Sequence, residues 1–159
     1  MPEPAEPVEE TPQQVAERSA QVMLAGDRAT AAMGMVLDDV GPGYAVVSMT
    51  VRPDMVNGWG AAHGGLMSAL GDTAFAVACN SFGEVTVAAG FDVTFLAPVR
   101  EGDDLVATAR LRSRSGRSGV YDVTIARRAD APDREPTPVI EFRGRSRSLG
   151  RPIEPGATH

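Results

Sequence analysis

The chain has a single cysteine, Cys79, so it forms no internal disulfide. Cys79 lies in an apolar run and reads as packing. A catalytic thiol needs a base beside it, and only His63 and His159 exist to serve. No apolar run reaches the ~18 residues of a membrane span. Lysine is absent; all 15 basic residues are arginine, which reads as compositional bias and not as a functional signal. A basic surplus is also absent, since the net charge is −6. Glu3, Glu6, Glu9, Glu10 and Glu17 supply most of it, and residues 1–17 hold no basic side chain. The rest of the chain is nearly neutral, which argues against a nucleic-acid binder. Aromatic residues are only 5% of the chain, so few candidates exist for a ring-lined pocket. The first residues, MPEPAEPVEE, are acidic and proline-rich and do not read as a leader, so a cytoplasmic protein is expected.

What is present suits one globular domain. The 159 residues are 43% hydrophobic. Residues 1–10 read as a disordered acidic tail, 11–149 as the domain, and 150–159 as a second tail. Thr11-Pro12 signals a helix start, with the helix running to about Ala25 and stopping at Gly26. Asp27 is placed to cap a short turn through Met33. Met35–Val40 and Tyr44–Arg52 read as a strand pair around Gly41-Pro42-Gly43. A helix from about His63 to Asn80 follows a glycine-rich loop. Val85–Leu96, Asp104–Ser115, Val120–Arg128 and Val139–Ser148 read as four further strands. Gly116-Arg117-Ser118-Gly119 is the expected hairpin turn, and Ala131–Pro138 an exposed loop. Five or six antiparallel strands with one long helix give an α+β class. That helix carries Ala69, Gly71, Ala74, Ala76 and Ala78. A sheet can curl closely around so slim a helix, which is the hot-dog arrangement.

The candidate chemistry sits at the helix entrance. Asn57-Gly58-Trp59-Gly60-Ala61-Ala62-His63-Gly64-Gly65 precedes Leu66–Cys79, in which Asp72 is the only charge. A carboxylate in an apolar helix is costly unless something uses or pairs it. The free amides at the helix start can polarise a carbonyl oxygen. An acid with amide donors is the minimum equipment for hydrolysing an activated acyl group. The plainer reading is that Asp72 caps an element or pairs with arginine, and that His63 is a structural hydrogen-bonder at the helix entrance. Val56, Trp59 and Phe75, with Met67 and Phe82, are candidates for an apolar acyl pocket; ordinary core is the competing reading for each.

The ordered set of motifs resembles a known family. Asn57-Gly-x-Gly-x-x-His63-Gly64-Gly65, Asp72-Thr73-Ala74-Phe75-Ala76 and Ala78-Cys79-Asn80-Ser81 are similar to the phenylacetic-acid-degradation (PaaI-type) acyl-CoA thioesterases of the hot-dog superfamily. The likeness continues through Asp92–Leu96, Pro98, Gly102-Asp103, Gly116–Asp122 and Phe142–Ser146, and covers roughly Gly34 to Leu149. It implies that Asp72 attacks the thioester or activates water and that Gly64 donates its N–H to the thioester oxygen. Asn57 would orient water or substrate, and His63 lies beside the oxyanion site. Gly116, Arg117, Ser118 and Gly119 would hold the CoA arm. Gly65, Gly90, Arg145 and Arg147 join them as candidate CoA contacts, the arginines because a planar fork suits phosphate. Ala88 falls where some relatives place an assisting serine, leaving water ordering to Asn57 or Thr73. No cofactor and no metal site are expected, because CoA is part of the substrate. Hydration of an acyl thioester and non-catalytic acyl-CoA binding are the alternatives. The first wants an Asp–His pair at helical spacing; the second has no need of a buried acid.

Gly64 and Asp72 are eight residues apart, roughly 12 Å along one helix at ~1.5 Å per residue. A single carbonyl needs its donor and its attacker each within about 3–3.5 Å. One subunit cannot supply both. Two antiparallel helices across a two-fold axis can, so a homodimer is expected, and the resemblance implies a homotetramer.

Overall fold

Helix α1 (Pro12–Ala25) begins on a reciprocal cap. The Gln14 N–H donates to Thr11 Oγ1 at 3.2 Å, and the Thr11 N–H donates to Gln14 Oε1 at 2.8 Å. Pro12 takes the first helical position, where a missing N–H costs nothing. The computed structural model describes residues 9–154 and 156. Residues 1–8 of the expected acidic tail thus lie outside the described residues. Glu10 pairs with Arg18 at 3.0 Å.

Asp27 caps α2 (Arg28–Ala32) by accepting the Thr30 N–H at 2.9 Å. Strands β1 (Val36–Gly41) and β2 (Tyr44–Thr50) pair antiparallel through the two-residue turn Pro42-Gly43. Gly43 has φ +69°, and a Cβ there would stand 2.9 Å from Leu111 Cβ, so glycine is required. A 3₁₀ turn at Pro53–Met55 leads to the long helix α3 (Gly64–Asn80). Strands β3 (Glu84–Phe95), β4 (Asp104–Ser115), β5 (Ser118–Arg127) and β6 (Thr137–Pro152) complete one antiparallel sheet of order β1-β2-β4-β5-β6-β3. This is the hot-dog arrangement, with six strands.

The sheet closes around α3 because both surfaces are thin where they meet. A Cβ on Gly71 would lie 2.9 Å from the Phe142 ring, and one on Gly144 would lie 2.6 Å from the Phe75 ring. Met67, Leu70, Ala74, Phe75, Val77 and Ala78 bury against alternate residues of β2, β4, β5 and β6. No helix among the described residues is long and apolar enough to cross a membrane.

Two boundaries differ from expectation. The β4–β5 turn is Gly116-Arg117 alone; Ser115 pairs with Ser118, which puts Ser118 and Gly119 in β5. Strand β6 runs on to Pro152, so residues 150–152 are not a tail: Glu84 pairs with Pro152, and the Ile153 N–H donates to Gly83 O at 2.9 Å. Gly150 and Pro152 look like strand breakers, yet both are tolerated at the end of a strand. Pro155 and residues 157–159 lie outside the described residues.

Candidate active site

The entrance to α3 is built by His63. It caps the helix, its Nδ1 accepting the Gly65 N–H at 3.2 Å. The Gly65 amide is thus bonded within the protein, and His63 is a hydrogen-bonder at the helix entrance, which is the plainer of the two readings of it. The His63 N–H donates to Met55 O and the Ala62 N–H to Val99 O, each at 2.7 Å, which fastens the loop to the sheet. The Gly64 N–H, by contrast, has no hydrogen-bond partner among the described residues. The Phe95 ring packs against the Gly64 Cα, where a Cβ would stand 2.9 Å from Phe95 Cζ. Gly64 therefore offers a bare amide beside an aromatic ring.

Asn57 organises the loop before it. Its Oδ1 accepts from the Trp59 N–H (2.9 Å) and the Ala61 N–H (3.2 Å). Its oxygen is committed, which leaves its NH₂ for a water or a substrate.

Asp72 is half-buried on α3, outside the set of fully buried residues of that helix. It makes no ion pair or hydrogen bond with any described side chain, so neither the capping nor the arginine-pairing reading holds within one subunit. Burial pushes its carboxyl above the ordinary value of 3.8. An unpaired, partly desolvated carboxylate on a packed helix is the signature of a working group. The neighbouring thiol is not one: burial pushes Cys79 up to about 12.

A family model described as the Thioesterase superfamily matches residues 60–131, which contain both Gly64 and Asp72. The acyl-coenzyme A thioesterase PaaI of Escherichia coli is 39% identical over 136 residues, covering 86% of this chain and 93% of that protein. The chain belongs to the thioesterase superfamily. It is a thioester hydrolase. The solved structure of the E. coli PaaI protein from the phenylacetic acid degradation operon superposes with a TM-score of 0.83 at 38% identity, covering 91% of this chain and all of that one. A mutant of the phenylacetic acid degradation protein PaaI from Thermus thermophilus superposes at 0.71 with 32% identity, over 77% of this chain and all of that one.

This thioesterase places an open apolar pocket of about 380 Å³ against Gly64. Of the residues considered for an apolar pocket, Met67 lies in this wall, and Val56, Trp59, Phe75 and Phe82 do not. Phe75 is fully buried, edge-on to Tyr121 at 5.5 Å and tilted against Phe142 at 5.9 Å, so it is core. Trp59 is 94% exposed at the loop tip. Val56 bridges to Ala62, and Phe82 lies under the Arg114 guanidinium at 4.2 Å. The lining comes instead from Phe95, Leu96, Val99 and Ile140, where β3 ends and the chain bends at Pro98. An apolar strand end that runs into Leu-Ala-Pro was the available signal.

The expected CoA contacts divide. Arg117, in the turn after Gly116 (φ +56°), makes no ion pair among the described residues. Arg147 donates to Ser118 Oγ at 3.2 Å. Arg145 is paired with Asp92 and lies over Gly90, which binds it into the sheet surface. Gly119 is buried: a Cβ there would meet Ser146 Oγ at 2.7 Å and Tyr121 Cε2 at 2.9 Å, so packing requires this glycine. Gly116, Arg117 and Arg147 thus form the open basic end. It flanks the C-terminal end of α3, since Arg114 of the same hairpin covers Phe82.

Proposed function

We propose that the enzyme is an acyl-CoA thioesterase acting on an aryl-acetyl-CoA, such as phenylacetyl- or hydroxyphenylacetyl-CoA, in the cytoplasm. The observation that carries this is the unpaired Asp72 on the helix whose first amide, Gly64, is bare. The likeness to the E. coli acyl-coenzyme A thioesterase supports the CoA ester, and that protein's place in a phenylacetic acid degradation operon supports the aryl-acetyl group. In this reading the Gly64 N–H donates to the thioester oxygen as charge develops there. Asp72 either takes a proton from water, whose oxygen bonds to the carbonyl carbon, or bonds to that carbon itself and is released by water. The C–S bond breaks, and the leaving CoA thiolate takes up the proton.

The reaction needs a homodimer, because the acid and the amide of one helix are roughly 12 Å apart. Strand β3 supports such a partner. It is a sheet edge of 12 residues, with Val87 and Phe91 each 42% exposed and Phe95 54% exposed. An exposed apolar edge is a template for a second copy. Pairing two such edges antiparallel brings each Asp72 toward the partner's helix entrance, and a dimer of dimers extends the assembly. The purified protein should release free thiol from an aryl-acetyl-CoA; release from no aryl-acetyl, benzoyl or straight-chain ester would overturn the reading.

Shared sites have their own test. Gly64→Pro deletes the amide at a position where proline suits a helix, while Gly64→Ala retains it. Neither Gly64→Pro nor Asp72→Asn homodimers should turn over. Heterodimers of the two should recover one intact site in two. Heterodimers that form and stay silent would count against cross-subunit catalysis.

The nucleotide end of CoA is assigned to Arg117 and Arg147, reached from the partner's Gly64 along the C-terminal half of α3. Arg117→Ala should raise KM for the CoA ester several-fold, and much less for the truncated acyl-pantetheine. Added salt should act with the same selectivity. Equal loss on both substrates would remove the turn from nucleotide recognition.

A further inference from the structure

A second cavity, of about 140 Å³, lies where α1 and α2 close over β1, β2 and α3. Leu24, Met35, Leu37 and Val47 form its apolar wall, and Asp27, Thr30 and Thr73 its polar one. Thr73 is the residue after Asp72, which puts the cavity beside the turn of α3 that carries the acid. We infer that this cavity, and not the larger pocket beside Gly64, receives the acyl group, with Thr73 and Thr30 as the residues that determine its specificity. The inference rests on the thioesterase reading above and adds where, and by which residues, the acyl group is selected.

Size is the first argument. An apolar cavity of ~150 Å³ is enough to hold a benzene molecule. The space here suits one six-membered ring and is too small for a long straight chain. The pocket beside Gly64 is far larger and open, which suits the extended pantetheine arm of an ester whose carbonyl reaches the partner's Asp72.

Polarity is the second argument. The Thr30 hydroxyl donates to Asp27 Oδ2 at 2.6 Å, and the Thr30 N–H donates to Asp27 Oδ1 at 2.9 Å. The hydroxyl proton of Thr30 is therefore spent, but its oxygen can still accept. Thr73 Oγ1 is 3.4 Å away, beyond the usual range for two hydroxyls. The polar part of the wall is thus the Asp27 carboxylate, each of whose oxygens already accepts from Thr30, and two hydroxyl groups that do not saturate each other. A ring hydroxyl between them can donate to Thr30 Oγ1 and accept from Thr73. A site built to hydrogen-bond a substrate hydroxyl discriminates against the analogue lacking it, because its own polar groups are then left unpaired.

The test uses two variants of the full chain. Thr73→Val keeps the shape and removes the hydroxyl. It should shrink the preference for 4-hydroxyphenylacetyl-CoA over phenylacetyl-CoA, as a ratio of kcat/KM, by tenfold or more. Ala31→Phe places a ring at the cavity mouth, on an exposed position of α2 that tolerates bulk. It should lower kcat/KM for both aryl esters by tenfold or more relative to butyryl-CoA. An unchanged ratio in both variants, or an equal loss on butyryl-CoA, would overturn the assignment while leaving the hydrolase reading intact. A wild-type protein that hydrolyses none of these esters would instead defeat the hydrolase reading itself.

Discussion

Asp72→Asn lowers kcat by roughly a hundredfold or more and leaves KM nearly unchanged, because the substitution keeps the shape of the side chain and removes only its basicity. In the proposed mechanism the carboxylate is the active form, and burial raises its pKa above 3.8. The acid limb of kcat/KM should therefore lie above the position expected for an ordinary aspartate. Stability moves the other way. With the folded-state pKa raised, the native protein binds more protons than the unfolded chain between 3.8 and the raised value, so stability falls as pH rises through that window. At neutral pH the full cost of holding the charge is present. The Asp72→Asn variant should then unfold at a higher urea concentration than the wild type, and the gap should close below pH 3.8. Near-native kcat in the folded variant would sink the catalytic assignment. Single-turnover hydrolysis in labelled water, with mass analysis of the Asp72 peptide, separates direct attack from water activation: only direct attack leaves label in the side chain.

Phe75→Ala should destabilise the fold by about 3–5 kcal/mol, the usual loss for a buried ring. The ring has no exposed surface, and it packs edge-on to Tyr121 and flat over Gly144. No neighbouring side chain reaches into the space it would vacate above a glycine. Urea unfolding measures the loss. A variant that kept its stability and changed its preference among acyl-CoA esters would return Phe75 to the substrate pocket.

These two residues stand three positions apart on α3, and the sequence separates their roles poorly. Asp72 is legible because a lone charge in Leu66–Cys79 is costly wherever the helix packs. Phe75 is not, because its fate depends on how α3 is rotated against β6, which no local pattern states. The same contrast runs through the fold. Thr11, Pro12 and Asp27 announce α1 and α2 because caps are local chemistry. The last residues of β6 are strand only because β3 lies alongside them as far as Glu84, a pairing made 68 positions away. His63 was visible as a residue at the helix entrance, but its capping bond to Gly65 required the side-chain geometry. The lining of the pocket beside Gly64 comes from Phe95–Val99 and Ile140, which meet only after the sheet has closed.

The packing of α1 and α2 over the sheet divides labour along the chain. The acid and the bare amide lie within the stretch that matches the superfamily model, residues 60–131. The wall of the smaller cavity is supplied largely by Leu24, Asp27, Thr30, Ala31, Met35 and Leu37, all of which precede that stretch. In the proposed reading, selection is shared between these N-terminal residues and Thr73, which stands on the same helix as Asp72. Drift in the N-terminal helices can then explore new acyl groups without touching the helix that carries the acid, and exchanging residues 11–40 between relatives should move the part of substrate preference that does not depend on Val47 and Thr73.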